Sequence, residues 1–304
     1  MWWICSCCSI ATIWNSATRA TTWARIEPDM LLLRLSLRLP LLLAWLLVGA
    51  GLGLLWRARL GRTWYDSRSG RALVRGWMAR LGRILGLRVT VKGQPLSTAL
   101  LVANHISWLD IPALAARVPG RFVAKAEVRH WPLLGWLAEL SGTRFLRRNS
   151  LAGMRVLLEQ VTRDLEAGRP CLVFPEGTST DGSRVGPFFP ALLQTAITAA
   201  VPVQCVAIRY GDGRRRDEQA PFIDDDVFVR HLLGILGRGH TRVELHFSPP
   251  LQSLGLSRHF LAARCRGWIA SRLGLEAQPG AGMGQSSGNQ RRPPSAATDC
   301  IGQA

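Results

Sequence analysis

From Leu39 to Trp56 the chain carries no charged residue. A run of this length and composition has two stable homes, the interior of a bilayer or the core of a fold, and it approaches the roughly 20 residues a membrane-crossing helix needs. Arg34 and Arg38 stand on its N-terminal side, placed to snorkel toward head groups, and Trp56 and Arg57 mark the other boundary. Arginines crowd its C-terminal side: Arg57, Arg59, Arg62, Arg68, Arg71 and Arg75. The positive-inside rule puts that side in the cytoplasm. The reading is a membrane anchor helix over residues 30–57, in the inner membrane, with spanning and re-entrant insertion both open, and a domain over 58–275 facing the cytoplasm. Residues 1–29 lack clean periodicity and have the wrong order for a signal peptide, so they read as disordered or as an artefact of start-site choice before Met30. The Gly-, Ser-, Gln- and Pro-rich tail, 276–304, reads as disordered.

Between anchor and tail, short apolar runs alternate with helix-period segments. Strands are expected at 87–93, 99–103, 121–125, 143–148, 171–174, 203–208 and 242–247. Helices are expected within 57–86, from Ile111, over 131–140, from a cap at Asn149 or Ser150 to about Ala167, over 188–200, over 226–236 and over 257–273. This alternation makes the domain α/β. There is no internal repeat.

The formal net charge is +18, carried almost wholly by arginine, since Lys92 and Lys125 are the only lysines. A chain this cationic seeks polyanions: lipid head groups, phosphorylated substrates or nucleic acid. The aromatics are not interleaved with the basic residues in any nucleic-acid-binding motif, and nucleic-acid binding leaves the uncharged run unexplained. The cysteines form no metal-ligand spacing and no disulfide framework. Cys171 and Cys205 sit in apolar runs and read as core residues. No metal or cofactor is expected.

Two segments carry candidate chemistry. Asn104-His105-Ile106-Ser107-Trp108-Leu109-Asp110 follows a buried strand and leads into a helix. His105 then stands at a strand end and Asp110 in the first turn, where a chain reversal brings carboxylate to imidazole. That pair suits a general base, with the aspartate fixing the tautomer; the plainer reading is a surface histidine before a helix-capping aspartate. Further on, Phe174-Pro175-Glu176-Gly177-Thr178-Ser179 ends another strand, as a site loop of an open α/β sheet does. Its plainer reading is an ordinary strand-to-helix turn.

Together, Asn104-His105 with Asp110 and Phe174-Pro175-Glu176-Gly177-Thr178 resemble the glycerolipid acyltransferase family, whose best-known members are lysophosphatidic acid acyltransferases. Gly142, Phe145 and Arg148 look like the family's second block, and Val201-Pro202-Val203 like its fourth. The resemblance covers roughly residues 75–250. It implies a mixed sheet flanked by helices, and transfer of a fatty acyl group from acyl-CoA or acyl carrier protein to a lysolipid hydroxyl. His105 would be the base and Asp110 its partner, with direct attack on the thioester. Arg148, Glu176, Gly177 and Thr178 would hold the acceptor head group, and Pro202 would shape the acyl-donor side. Lys125 is a further phosphate candidate. Ser107 or a cysteine as nucleophile is a rival mechanism, though neither lies in an activating motif.

One departure bears on the acceptor. The lysophosphatidate enzymes usually carry Arg directly after Glu-Gly-Thr, and here that position is Ser179. A lyso-aminolipid acceptor such as lyso-ornithine lipid then stands beside 1-acyl-glycerol-3-phosphate, unless Arg184 restores the charge. A scaffold that keeps the fold without activity, and a thioester hydrolase, are the remaining alternatives.

Overall fold

The computed structural model describes residues 28–147, 150–213, 215–223 and 226–275. The expectations for residues 1–27 and 276–304, and for Arg148, lie outside the described residues. Seven strands appear in chain order: β1 (Leu87–Lys92), β2 (Leu100–Ala103), β3 (Arg121–Lys125), β4 (Arg144–Leu146), β5 (Cys171–Val173), β6 (Val203–Tyr210) and β7 (Thr241–Phe247). The helices are α1 (Pro28–Leu60), α2 (Arg68–Ile84), α3 (Asp110–Ala115), α4 (Leu134–Leu140), α5 (Leu151–Glu166), α6 (Gln194–Thr198), α7 (Phe228–Gly237) and α8 (Arg258–Leu273). Serine hydroxyls cap α2, α5 and α8: Ser67, Ser150 and Ser257 each accept a backbone N–H from the first turn.

The strands form one sheet in the order β1-β7-β6-β2-β5-β3-β4. Every pair is parallel except β6 with β7. Central β2 is buried on both faces, as parallel strands are. Leu101 and Ala103 join the core under α1, α3 and α7, while Leu100 and Val102 join the core under α5, α6 and α8. The expected helix over 188–200 is shorter than its span, because Pro190 opens a 3-10 turn and α6 begins only at Gln194.

Helix α1 is not a detached anchor. Leu35, Leu39, Leu42 and Leu46 pack on the main core. Trp45 and Trp77 exchange indole N–H bonds to each other's carbonyl, both 3.2 Å. Gly49 lets α1 approach that closely, since a Cβ there would stand 2.5 Å from the Trp77 ring. The opposite face exposes Leu33, Leu37, Leu41, Leu47, Val48, Leu54 and Leu55. Arg34 and Arg38 do not snorkel outward: they donate to the carbonyls of Gly237 (3.3 Å), Leu236 (3.1 Å), Arg238 (2.6 Å) and Gly239 (2.9 Å) at the end of α7. Unsatisfied C-terminal carbonyls attract cations, and they hold these two guanidinium groups inside the fold.

Candidate functional site

The register sets the site. Val102 on β2 pairs with Val173 on β5, so His105 and Glu176, each three residues further on, leave the sheet level with one another. His105 Nδ1 lies 2.8 Å from Asp110 Oδ2. The same oxygen accepts the backbone N–H groups of Ile106 (2.9 Å) and Ser107 (3.1 Å), and Oδ1 accepts the Tyr210 hydroxyl at 2.7 Å. Asp110 is fully buried. Four donors on one carboxylate place the imidazole proton on Nδ1 and leave the Nε2 lone pair outward. Nε2 has no partner among the described residues, and the ring is 23% exposed. Phe174 stacks on it at 4.2 Å between centroids. Asn104 works structurally: its amide exchanges two hydrogen bonds with the Ile208 backbone, 3.0 and 2.8 Å, and so extends the β2–β6 ladder.

The Glu176 carboxylate faces inward, at 5% exposure. It accepts the backbone N–H of His105 (3.3 Å) and of Gly186 (3.4 Å). The expectation that it grips an acceptor head group is therefore corrected: Glu176 ties the His105 loop to the 176–186 loop. Burial pushes its carboxyl up to about 7, the neighbouring Asp110 charge adds to the rise, and the two backbone donors and Arg266 oppose it. Gly177 turns the chain at φ +69° and is exposed, as is Thr178. Thr180 closes the loop onto the site by donating its N–H to His105 O at 2.8 Å.

Pro202 is not in this site. It precedes β6, whose Val203 pairs with Leu100 at the start of β2. His105 lies five residues beyond Leu100, so Pro202 is about 16 Å away at the opposite end of the sheet. The order of motifs along a chain does not say which strand end each one occupies. Ser107 is fully buried and its hydroxyl has no hydrogen-bond partner among the described residues, so no base activates it. Cys171 and Cys205 are buried, as expected. Lys125 ends β3 on the same side of the sheet as His105.

Tyr210 and His231 were not expected here. Tyr210 shares a face of β6 with Val206 and Ile208, and continuing that alternation past Ile208 would have revealed it. His231 accepts the Trp108 indole N–H at Nδ1 (3.0 Å) and donates from Nε2 to Pro221 O (3.0 Å). Burial lowers its pKa, which keeps it neutral beside the site. Trp108, Trp131 and Phe222 all pack on Phe228.

A buried Asp–His pair with an outward Nε2 suits proton abstraction from a hydroxyl. Comparison with known proteins supplies the class. Residues 88–209, which hold both loops, match the Acyltransferase family. A protein of Pseudomonas aeruginosa named lyso-ornithine lipid O-acyltransferase is 44% identical over 195 residues, covering 64% of this chain and 75% of that protein.

The chain belongs to the acyltransferase family.

The acyltransferase is also 38% identical over 201 residues to the Rhodobacter capsulatus protein of the same name, covering 63% and 72% of the two chains. It is 39% identical over 145 residues to a Neisseria gonorrhoeae 1-acyl-sn-glycerol-3-phosphate acyltransferase, covering 46% and 55%. In fold it resembles the crystal structure of the 1-acyl-sn-glycerophosphate acyltransferase PlsC from Thermotoga maritima: TM-score 0.54, 23% identity, 77% of this chain and 94% of that one. The enzyme is thus an acyltransferase, with a mixed sheet flanked by helices and an N-terminal apolar helix long enough to cross a membrane.

Proposed function

We propose that this acyltransferase moves a fatty acyl group from a pantetheine thioester, acyl-CoA or acyl carrier protein, to the hydroxyl of a lysolipid. His105 Nε2 takes the hydroxyl proton, and the oxygen attacks the thioester carbonyl. The C–S bond breaks as the ester forms, and the leaving thiolate recovers the proton from the imidazolium. Asp110 holds the ring in the basic tautomer and balances its transient charge. A thioester is already activated, so the transfer needs no metal. The observation that carries this reading is the 2.8 Å His105–Asp110 contact with Nε2 left open at the end of the sheet.

The acceptor we favour is lyso-ornithine lipid. Ser179 stands where a phosphate-reading arginine would, and its hydroxyl is committed to Phe222 O at 2.5 Å. The Neisseria relatives, named for 1-acyl-glycerol-3-phosphate, support that acceptor as the second reading, with Arg184 exposed nearby and Arg148 as its phosphate ligands. Purified full-length enzyme, given labelled acyl donor and each lysolipid in turn, tests both. Labelled ornithine lipid is expected, and His105→Ala abolishes it. Near wild-type transfer by His105→Ala would defeat the mechanism, and free fatty acid without acylated lipid would mark a hydrolase.

The same reading places the enzyme on the cytoplasmic side of the inner membrane. One face of α1 packs on the domain from Leu35 to Gly53, where Gly53 abuts Leu140, which favours insertion along the surface over crossing of the bilayer. Its outward leucines enter the lipid while the helix lies along the surface, next to lysolipid acceptors.

A further inference from the structure

Resting on that reading, we infer that the donor is presented by an acidic acyl carrier protein, docked on a cationic face of the sheet at its β1–β7 edge. Leu87, Val89, Val91, Val243 and Leu245 turn toward the core that α1 packs on. By alternation Arg88, Thr90, Lys92, Arg242, Glu244 and His246 lie on the opposite face. That face is open to solvent at Arg88, Thr90, Lys92 and Arg242. Helix α8 ends over β6 and His246, where Arg209 donates to Leu273 O and Arg272 Nε to His246 Nδ1, both at 2.8 Å.

The face carries positive charge that the chain does not answer. Glu244 is the only anion in β1 and β7, and it is taken by His246 at 3.0 Å and Lys92 at 3.6 Å. Arg88 and Arg242 stand opposite each other in the β1–β7 ladder and make no ion pair among the described residues. Like charges directly opposite cost stability. An edge strand needs a charge or two against stray pairing, but Arg242 stands on β7, which is paired on both sides. Burial and the charges of Arg88, Arg242 and Arg238 lower the His240 pKa, so positive charge accumulates at this corner. Arginines left uncompensated on an open face suit an acidic partner.

Position favours a soluble partner over the bilayer. The face lies on the side of the sheet opposite α1, whose outward leucines enter the lipid, so it is turned toward the solvent. The register also sets its distance from the base. Ala103 pairs with Val206, which puts His105 level with Ile208, and Ile208 pairs with Leu245. Arg242 is three residues further out on β7 and two strand intervals from β2, on the order of 14 Å from His105. A phosphopantetheine arm has roughly thirteen bonds from phosphorus to sulfur, about 15 Å when extended at three bonds per residue length. A carrier protein seated at Arg242 therefore brings its thioester to His105. Acyl-CoA has no protein surface to dock and does not need this face.

The double variant Arg88→Ala with Arg242→Ala tests the face, and it relieves the facing charges, so folding is not at risk. The KM for a bacterial acyl carrier protein donor is expected to rise about five- to tenfold, with the KM for acyl-CoA and for the acceptor unchanged. Added salt should weaken use of the carrier protein more in wild type than in the variant. An unchanged carrier-protein KM, or an equal rise for acyl-CoA, overturns the site, and so does a wild type that accepts acyl-CoA alone. Calorimetric titration with holo carrier protein reads docking without turnover. His105→Ala should bind as wild type, and the double variant about five- to tenfold more weakly. Equal binding by all three overturns the docking face and leaves the His105 mechanism standing. Carrier binding as expected, with no transfer from either donor, defeats the proposed function instead. Flotation with phosphatidylglycerol vesicles should not separate the double variant from wild type; a loss confined to vesicle binding makes this a bilayer contact and overturns the carrier protein as its partner.

Discussion

The Tyr210 hydroxyl donates to Asp110 Oδ1 at 2.7 Å, and both residues are almost wholly buried. This bond turns the carboxylate so that Oδ2 meets His105 Nδ1. Tyr210 touches no substrate; it positions Asp110. A hydrogen bond to a charged group contributes about 1.5–3 kcal/mol. Tyr210→Phe keeps the ring packing and removes that bond, so kcat is expected to fall roughly 10- to 100-fold with the acceptor KM unchanged. Steady-state kinetics on purified variant check this, and a wild-type kcat in a folded variant refutes the role.

Glu176 gives the enzyme a pH-dependent stability. Its carboxyl rises from 4.5 to about 7 on folding, chiefly through burial. The folded chain therefore holds this proton more tightly than the unfolded chain. The stabilisation is complete below about pH 4.5 and disappears as pH rises through about 7. Glu176→Gln keeps an acceptor for the His105 N–H and removes the titration. Denaturant unfolding between pH 5 and pH 8 is expected to show a falling stability in wild type, by a few kcal/mol, and a flatter profile in the variant.

Much of this architecture was legible in the chain. The central strands β2 and β5 announced themselves as short apolar runs, because strands buried on both faces need continuous apolar residues, while β1 showed as an alternating strand ended by glycine. His105 and Asp110 were legible as a pair because their separation, between a strand end and a helix's first turn, is local. What escaped was non-local. Pro202 read as part of the site although its strand enters the sheet at the far end. Tyr210 meets Asp110 across a hundred residues of chain. Arg34 and Arg38 read as lipid-facing because nothing local reveals the α7 carbonyls that hold them.

Those carbonyls give the next prediction. Arg38 spans three of them, those of Leu236, Arg238 and Gly239. A lysine ammonium is a point donor and cannot reproduce the fork. Arg38→Lys is expected to cost about 0.5–1.5 kcal/mol, the net worth of an ordinary hydrogen bond, because these bonds are part-buried or exposed and water can replace them. Hydrogen exchange at the end of α7 should quicken in the variant. Unchanged protection there would show that α1 is not pinned through this residue.

The Gly49 contact is a steric test of the same docking. Any Cβ at this position meets the Trp77 ring at 2.5 Å, so α1 must lift or Trp77 must leave its place against Trp45. Gly49→Val is expected to destabilise by about 1–3 kcal/mol, as overpacking does, and to shift tryptophan fluorescence toward that of exposed indole. Gly51 has open space around its missing Cβ. Gly51→Val should therefore leave both readouts near wild type, which separates the contact from the general effect of a β-branched residue in a helix.

Asp164 is where loss of one side chain should be felt most at the end of the sheet away from His105. It is 1% exposed, takes Arg144 through both oxygens at 2.7 and 2.9 Å, and lies 3.3 Å from Arg121 Nε and 3.2 Å from Arg169 Nη1. Arg121 and Arg169 also reach Asp66, at 2.6 and 3.1 Å, so removing Asp164 leaves Arg144 without its anion and the other two with half of theirs. Breaking a buried pair by deleting one partner costs about 3–5 kcal/mol. Asp164→Ala should lose stability on that scale in denaturant unfolding. Asp164→Asn retains the shape and an acceptor, and should lose less. If the two variants unfold alike, the carboxylate's charge is not what joins the start of β4 to α5.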